Sequence, residues 1–89
     1  MKEIKIINKK EEIEITISET AGIFLEVKSN IKDFTSQWII KEDRYDLTLF
    51  KDGSKICDLM IFKDNVVEYE FSYSLENAEI SGDFEFSKM

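Results

Sequence analysis

The chain has no histidine, no proline, one cysteine and three glycines among its 89 residues. Without histidine it lacks the commonest general base and the commonest metal ligand. A structural zinc site needs several thiolate or imidazole donors, which one cysteine cannot supply. No internal disulfide can form, and nothing points to an oxidising compartment. Cys57 alternates with apolar neighbours and reads as a small buried hydrophobe. With no proline, the turns fall to Gly, Asn and Asp. No run approaches the ~18 apolar residues of a spanning helix. The opening Met1-Lys2-Glu3-Ile4-Lys5 has no apolar core of a signal peptide. A soluble, cytoplasmic protein is expected. A single domain over 1–89 is expected too, near the lower size limit for a self-sufficient core.

Charge is the next asymmetry. The net value is −7, yet residues 1–32 hold six lysines against six glutamates. The whole excess therefore lies in 33–89. Such a surface repels nucleic acid and anionic membrane, both of which need Lys and Arg, and it suits a basic protein partner.

What the chain does have is alternation. In Val66–Leu75 one face carries Val67, Tyr69, Phe71, Tyr73 and Leu75, and the other Val66, Glu68, Glu70, Ser72 and Ser74. A period of two belongs to a half-buried strand. Lys2–Asn8, Glu12–Ser18, Ile23–Lys28 and Arg44–Phe50 show the same pattern to varying degrees.

Turn chemistry then sets a register. A three-residue Thr20-Ala21-Gly22 loop pairs Ile17 with Leu25 and Ile15 with Val27. A Lys51-Asp52-Gly53 loop of the same kind pairs Leu47 with Cys57 and Tyr45 with Leu59. A two-residue Asp52-Gly53 turn would set Leu47 against Asp58, so the longer loop is preferred. Lys63-Asp64-Asn65, with Asn in the left-handed position, pairs Ile61 with Val67, Leu59 with Tyr69 and Cys57 with Phe71. A last turn at Glu76-Asn77 pairs Tyr73 with Ile80, Phe71 with Gly82, Tyr69 with Phe84 and Val67 with Phe86.

Between Ser29 and Asp43 the pattern changes. Ile31, Phe34, Trp38 and Ile39 follow i, i+3, i+7, i+8 spacing, which predicts a short helix near 31–37 with Asn30 as its N-cap. The alternative is an extended loop running into a strand from Trp38. The expected fold class is mainly β: a small antiparallel meander of about seven strands, closing as a barrel or a folded sandwich.

The expected register aligns Asp46, Asp58, Glu70 and Asp83 across four adjacent strands, a row of roughly 14 Å. Glu68 and Glu85 form a second opposed pair. Like charges directly opposite on a sheet destabilise it by roughly 0.2–1 kcal/mol per pair. The N-terminal hairpin instead sets Glu14 against Lys28. The six carboxylates Asp46, Asp58, Glu68, Glu70, Asp83 and Glu85 are therefore the candidate partner-binding residues. A flat exposed ladder is poor acid–base machinery, so no enzyme is expected, and no cofactor or metal. The expected function is an acidic inhibitor or antagonist of a basic, nucleic-acid-handling protein, in the manner of immunity proteins or phage anti-defence proteins. One alternative is a small-ligand or carbohydrate-binding barrel using Trp38, Phe24 and Phe50 at its mouth. The other is an assembly subunit that self-associates through a sheet edge.

Overall fold

The computed structural model describes residues 2–20 and 23–89, and side chains for all of these except 23–25. Nine strands are described: β1 (Glu3–Asn8), β2 (Ile13–Thr20), β3 (Ile23–Ser29), β4 (Phe34–Ile40), β5 (Arg44–Lys51), β6 (Ser54–Phe62), β7 (Val66–Phe71), β8 (Glu79–Gly82) and β9 (Glu85–Lys88). They form a four-stranded sheet of order β3-β2-β1-β8 and a five-stranded sheet of order β4-β5-β6-β7-β9. The fold is mainly β, as expected. The nine strands do not close into a barrel. No helix among the described residues is long and apolar enough to cross a membrane.

The alternation puts one buried cluster between the sheets. Ile4, Ile6, Ile15 and Ile17 come from the first sheet, and Leu47, Leu49, Cys57, Leu59, Ile61 and Val67 from the second. Each such aliphatic side chain contributes about 1.5–3 kcal/mol when fully withdrawn from water. The core positions assigned from the period of two on β1, β2, β5 and β6 are buried here, except Ile13 and Tyr45, which are half-buried against the cluster.

Two hairpin registers differ from expectation, for one physical reason. Asp52 (φ 50°) and Gly53 (φ 76°) are both left-handed, which makes a two-residue turn with Lys51 opposite Ser54. A β-bulge follows, where Leu49–Phe50 faces Lys55–Cys57, and Ile56 is the extra residue. Ile56 and Cys57 are consequently both buried, and the apolar faces stay aligned. Leu47 thus meets Leu59 rather than Cys57, and Tyr45 meets Ile61 rather than Leu59. The β2–β3 pairing repeats this, with Thr20 opposite Ile23 and a bulge opposite Ser18–Glu19. Ile17 meets Val27, and Lys28 faces Thr16, not Glu14. Ala21 and Gly22 of the expected Thr20-Ala21-Gly22 loop lie outside the described residues. The third hairpin has the expected register throughout, with Asn65 left-handed at φ 70°.

The expected helix near 31–37 is absent, because β4 occupies 34–40 and pairs along its length with β5. Phe, Thr, Trp and two Ile in seven residues favour a pleated surface over the helical spacing. Asn30 is no N-cap. Its side chain accepts from the Glu14 amide (2.9 Å) and donates to the Glu12 carbonyl (2.8 Å), tying the chain to β2 where it leaves the first sheet.

The C-terminal meander is also corrected. Tyr73–Leu75 form a single 3₁₀ turn with Leu75 fully buried, and the chain crosses to the other sheet. There β8 pairs with β1, with Ile80 opposite Ile6 and Gly82 opposite Ile4. A side chain at Gly82 would meet the Glu3 carbonyl oxygen at 2.1 Å, so only glycine fits this approach. The chain then returns, and β9 lies parallel to β7. Val67 does neighbour Phe86, but in the opposite strand sense from that expected.

Candidate protein-interaction face

The outer face of the five-stranded sheet carries most of the candidate carboxylates, in a different arrangement from a four-strand row. Asp46 on β5 lies between Ile39 of β4 and Met60 of β6. Asp58 on β6 lies between Thr48 and Glu70. Glu68 on β7 lies between Met60 and Ser87. Glu85 opens β9 opposite Val66, not opposite Glu68. Asp83 sits in the bend between β8 and β9, away from Glu70. Of the expected like-charge oppositions, only Asp58–Glu70 forms.

Local cations treat these groups unequally. Asp46 accepts from Arg44 Nε at 3.0 Å and lies 3.1 Å from Lys41 Nζ. Burial alone would raise its carboxyl pKa, but the hydrogen bonds and charges of Lys41 and Arg44 outweigh it and hold the value below the usual range. The hydrogen bond to Asp46 raises the Arg44 guanidinium in turn. Asp58 accepts from the Thr48 hydroxyl at 3.0 Å and lies 2.7 Å from Lys55 Nζ. The hydrogen bond to Asp58 raises the Lys55 pKa, with the charge of Asp58 next and that of Glu70 adding to it. Glu68, Glu70, Asp83 and Glu85 have no salt bridge among the described residues.

Arg44, Lys55 and a few loop lysines were expected near this face, and Arg44, Lys55 and the loop residue Lys41 do pair with it. Thr48 is the residue that the sequence reading missed. Arg44–Asp46 was legible as an i, i+2 pair on one strand face. The direct Lys55–Asp58 pairing was not, since an i, i+3 pair shares a strand face only across a bulge, and Ile56 supplies that bulge.

Two shallow depressions border the acids. One, of about 310 Å³, is lined by Ile39, Asp46, Thr48, Asp58, Met60 and Met89. Ile39 is 53% and Met89 49% exposed, so apolar surface lies among the carboxylates. The other, of about 500 Å³, gathers Asp64, Asp83 and Glu85 beside Asn65 and Phe84. Among the described residues no group of three acidic or thiol side chains is placed to hold a metal ion.

The aromatic mouth expected of a ligand-binding barrel does not form. Trp38 faces Leu47 on the core side and packs edge-on against Tyr45, with centroids 6.2 Å apart. Phe50 is opposite Thr35, one register position out of phase with the core-facing Leu49, so it points to the outer side. The Phe24 side chain lies outside the described residues. No protein-family model matches the chain, and no curated protein or solved structure matches it either.

Proposed function

We propose that this protein is a non-enzymatic binding module that docks on a basic protein surface through the β7–β9 side of its five-stranded sheet. One observation carries the proposal. Asp43, Asp46 and Asp58 are engaged by Arg44, Lys41 and Lys55, whereas Glu68, Glu70, Asp83 and Glu85 have no ion-pair partner among the described residues. Free negative charge thus gathers at one end of the face, where the exposed Met89 follows β9 beside β7. An apolar centre with a charged rim is the composition of a protein interface. Unneutralised carboxylates steer a cationic partner and set its orientation.

A basic protein face that ordinarily receives phosphates is the natural target. The protein then acts as an inhibitor or antagonist of a nucleic-acid-handling partner, as immunity proteins and anti-defence proteins do. The two sheets with one buried cluster favour a folded sandwich, which leaves this outer face free. A buried, unpaired Cys57 suits a reducing cytoplasmic setting.

The test is capture of partners from host lysate at low and high salt, with the wild type and with Glu68→Lys/Glu70→Lys. A basic protein held by the wild type at low salt, released at high salt and not held by the variant supports the proposal. Capture that survives the charge reversal contradicts it.

A further inference from the structure

We propose that β4 is a homodimerisation edge, through which a second copy of this chain pairs antiparallel about a two-fold axis at Gln37. The inference is independent of the acidic face. It starts from backbone polarity. The Lys41 amide donates to the Arg44 carbonyl (2.9 Å), and the Asp33 carbonyl accepts from the Asp52 amide (3.1 Å). Alternate residues of an antiparallel strand point toward its neighbour. Odd-numbered residues of β4 therefore face β5, and Phe34, Ser36, Trp38 and Ile40 turn their N–H and C=O groups away from it. β4 is the end strand of its sheet, so these groups have no strand beside them.

Edges are normally blunted by charge, proline, bulges or short length. The other three are. β8 and β9 have four residues each and carry Glu79, Glu85 and Lys88. β3 is bulged and carries Glu26 and Lys28. β4 runs seven residues, Phe-Thr-Ser-Gln-Trp-Ile-Ile, with no charge, no proline and no bulge against β5. Ile39 and Ile40 are 53% and 60% exposed on it.

The occupant follows from self-complementarity. Antiparallel pairing centred on Gln37 sets Ser36 against Trp38 and Phe34 against Ile40, all with outward-pointing backbone groups. Thr35 then meets Ile39, and Gln37 meets its own copy. Just beyond the strand, Asp33 approaches Lys41 and Lys32 approaches Glu42, each pair occurring twice by symmetry. Lys41 also pairs with Asp46 on its own chain but stays 45% exposed, so it can be shared. A shift of the axis to Trp38 would set Thr35 against Lys41 and leave Asp33 without an opposed lysine. A shift to Ser36 would set Lys32 and Asp33 against Ile40 and Ile39. Only the axis at Gln37 matches opposite charges at both ends, which offsets the repulsion between two chains of net charge −7. The contact is isologous and closes, so assembly stops at two.

Light scattering from micromolar to millimolar protein tests it. The expected mass rises with concentration from 10.5 kDa to twice that value. Gln37→Lys, at an exposed position, sets two ammonium groups face to face on the axis and weakens association by roughly tenfold or more. Lys32→Glu and Glu42→Lys each weaken it, and the double variant regains it. Circular dichroism confirms that each variant is folded. A single-chain mass at every concentration overturns the proposal. So does a dimer insensitive to Gln37→Lys and to the charge swap.

Discussion

Thr48 stands directly across from Asp58 and donates its hydroxyl to the carboxylate at 3.0 Å. Asp46, which the expected three-residue Lys51-Asp52-Gly53 loop would put there, is two residues away, bound to Lys41 and Arg44. Much of the surface chemistry follows from that displacement. A neutral donor relieves Asp58 on one side, so its only opposed carboxylate is Glu70.

Thr48→Val should cost about 0.5–1.5 kcal/mol, the net value of one such hydrogen bond. For a domain of this size each 1 kcal/mol lowers the melting temperature by about 4–8 °C. Thr48→Asp should cost roughly 0.2–1 kcal/mol more, because it creates a like-charge opposition to Asp58 that the observed register avoids. Thermal melts of the two variants check this. Equal melting temperatures for Thr48→Asp and Thr48→Val would place Asp58 elsewhere.

The strand faces were legible in the sequence, since Leu47, Leu49, Cys57, Leu59 and Ile61 alternate as a buried face must. The β6–β7 register was legible too, because Asn65 marks its left-handed turn. The bulge at Ile56 was not. The two-residue turn and the bulge each move the pairing by one residue, so together they shift it by two and leave the apolar pattern in phase, and both registers satisfy the same alternation. The partner of β8 was hidden for another reason. Ile80 alternates equally well beside β7 or β1, and the choice is made by Leu75, whose burial in a 3₁₀ turn redirects the chain. Of the mutual placements expected for the candidate carboxylates, only Asp58 opposite Glu70 is found.

The lowered pKa of Asp46 gives stability a pH dependence of definite sign. A carboxylate whose folded pKa is depressed contributes stability above its unfolded pKa of about 3.9 and loses it as pH falls through the folded value. The wild type should therefore be more stable than Asp46→Asn at neutral pH. The gap should close as pH falls below about 4. Denaturant melts at a series of pH values measure it, and a gap that stays constant down to pH 2 would contradict the ion pair.

Gly82→Ala should destabilise by about 1–3 kcal/mol or more, the scale of a residue forced into an unfavourable backbone region. Gly82 has φ 146°, and a Cβ there would press on the Glu3 carbonyl oxygen. The damage should concentrate at the β1–β8 pairing. Hydrogen exchange should show faster opening of the β8 amides than of β6. Uniform protection in the variant would argue against that pairing.

Cys57 is 1% exposed, and burial, with the charge of Asp58 adding to it, pushes its thiol pKa far up. A thiol reagent needs the thiolate. Modification should therefore be negligible in the native protein and should follow the unfolding curve in denaturant. Rapid labelling under native conditions would place Cys57 outside the core.

The most direct measurement of the central claim is the affinity of the captured basic partner for three folded proteins at neutral pH: wild type, Glu68→Gln/Glu70→Gln, and Asp46→Asn. The carboxylates without ion pairs should carry the binding. We expect the Glu68/Glu70 variant to lose roughly tenfold or more in affinity, about 1.4 kcal/mol, with a weaker salt dependence. Asp46→Asn should bind as the wild type does, because its charge is already engaged by Lys41 and Arg44. Equal affinity for all three, or a greater loss from Asp46→Asn, would contradict the claim that β7 and β9 form the docking face.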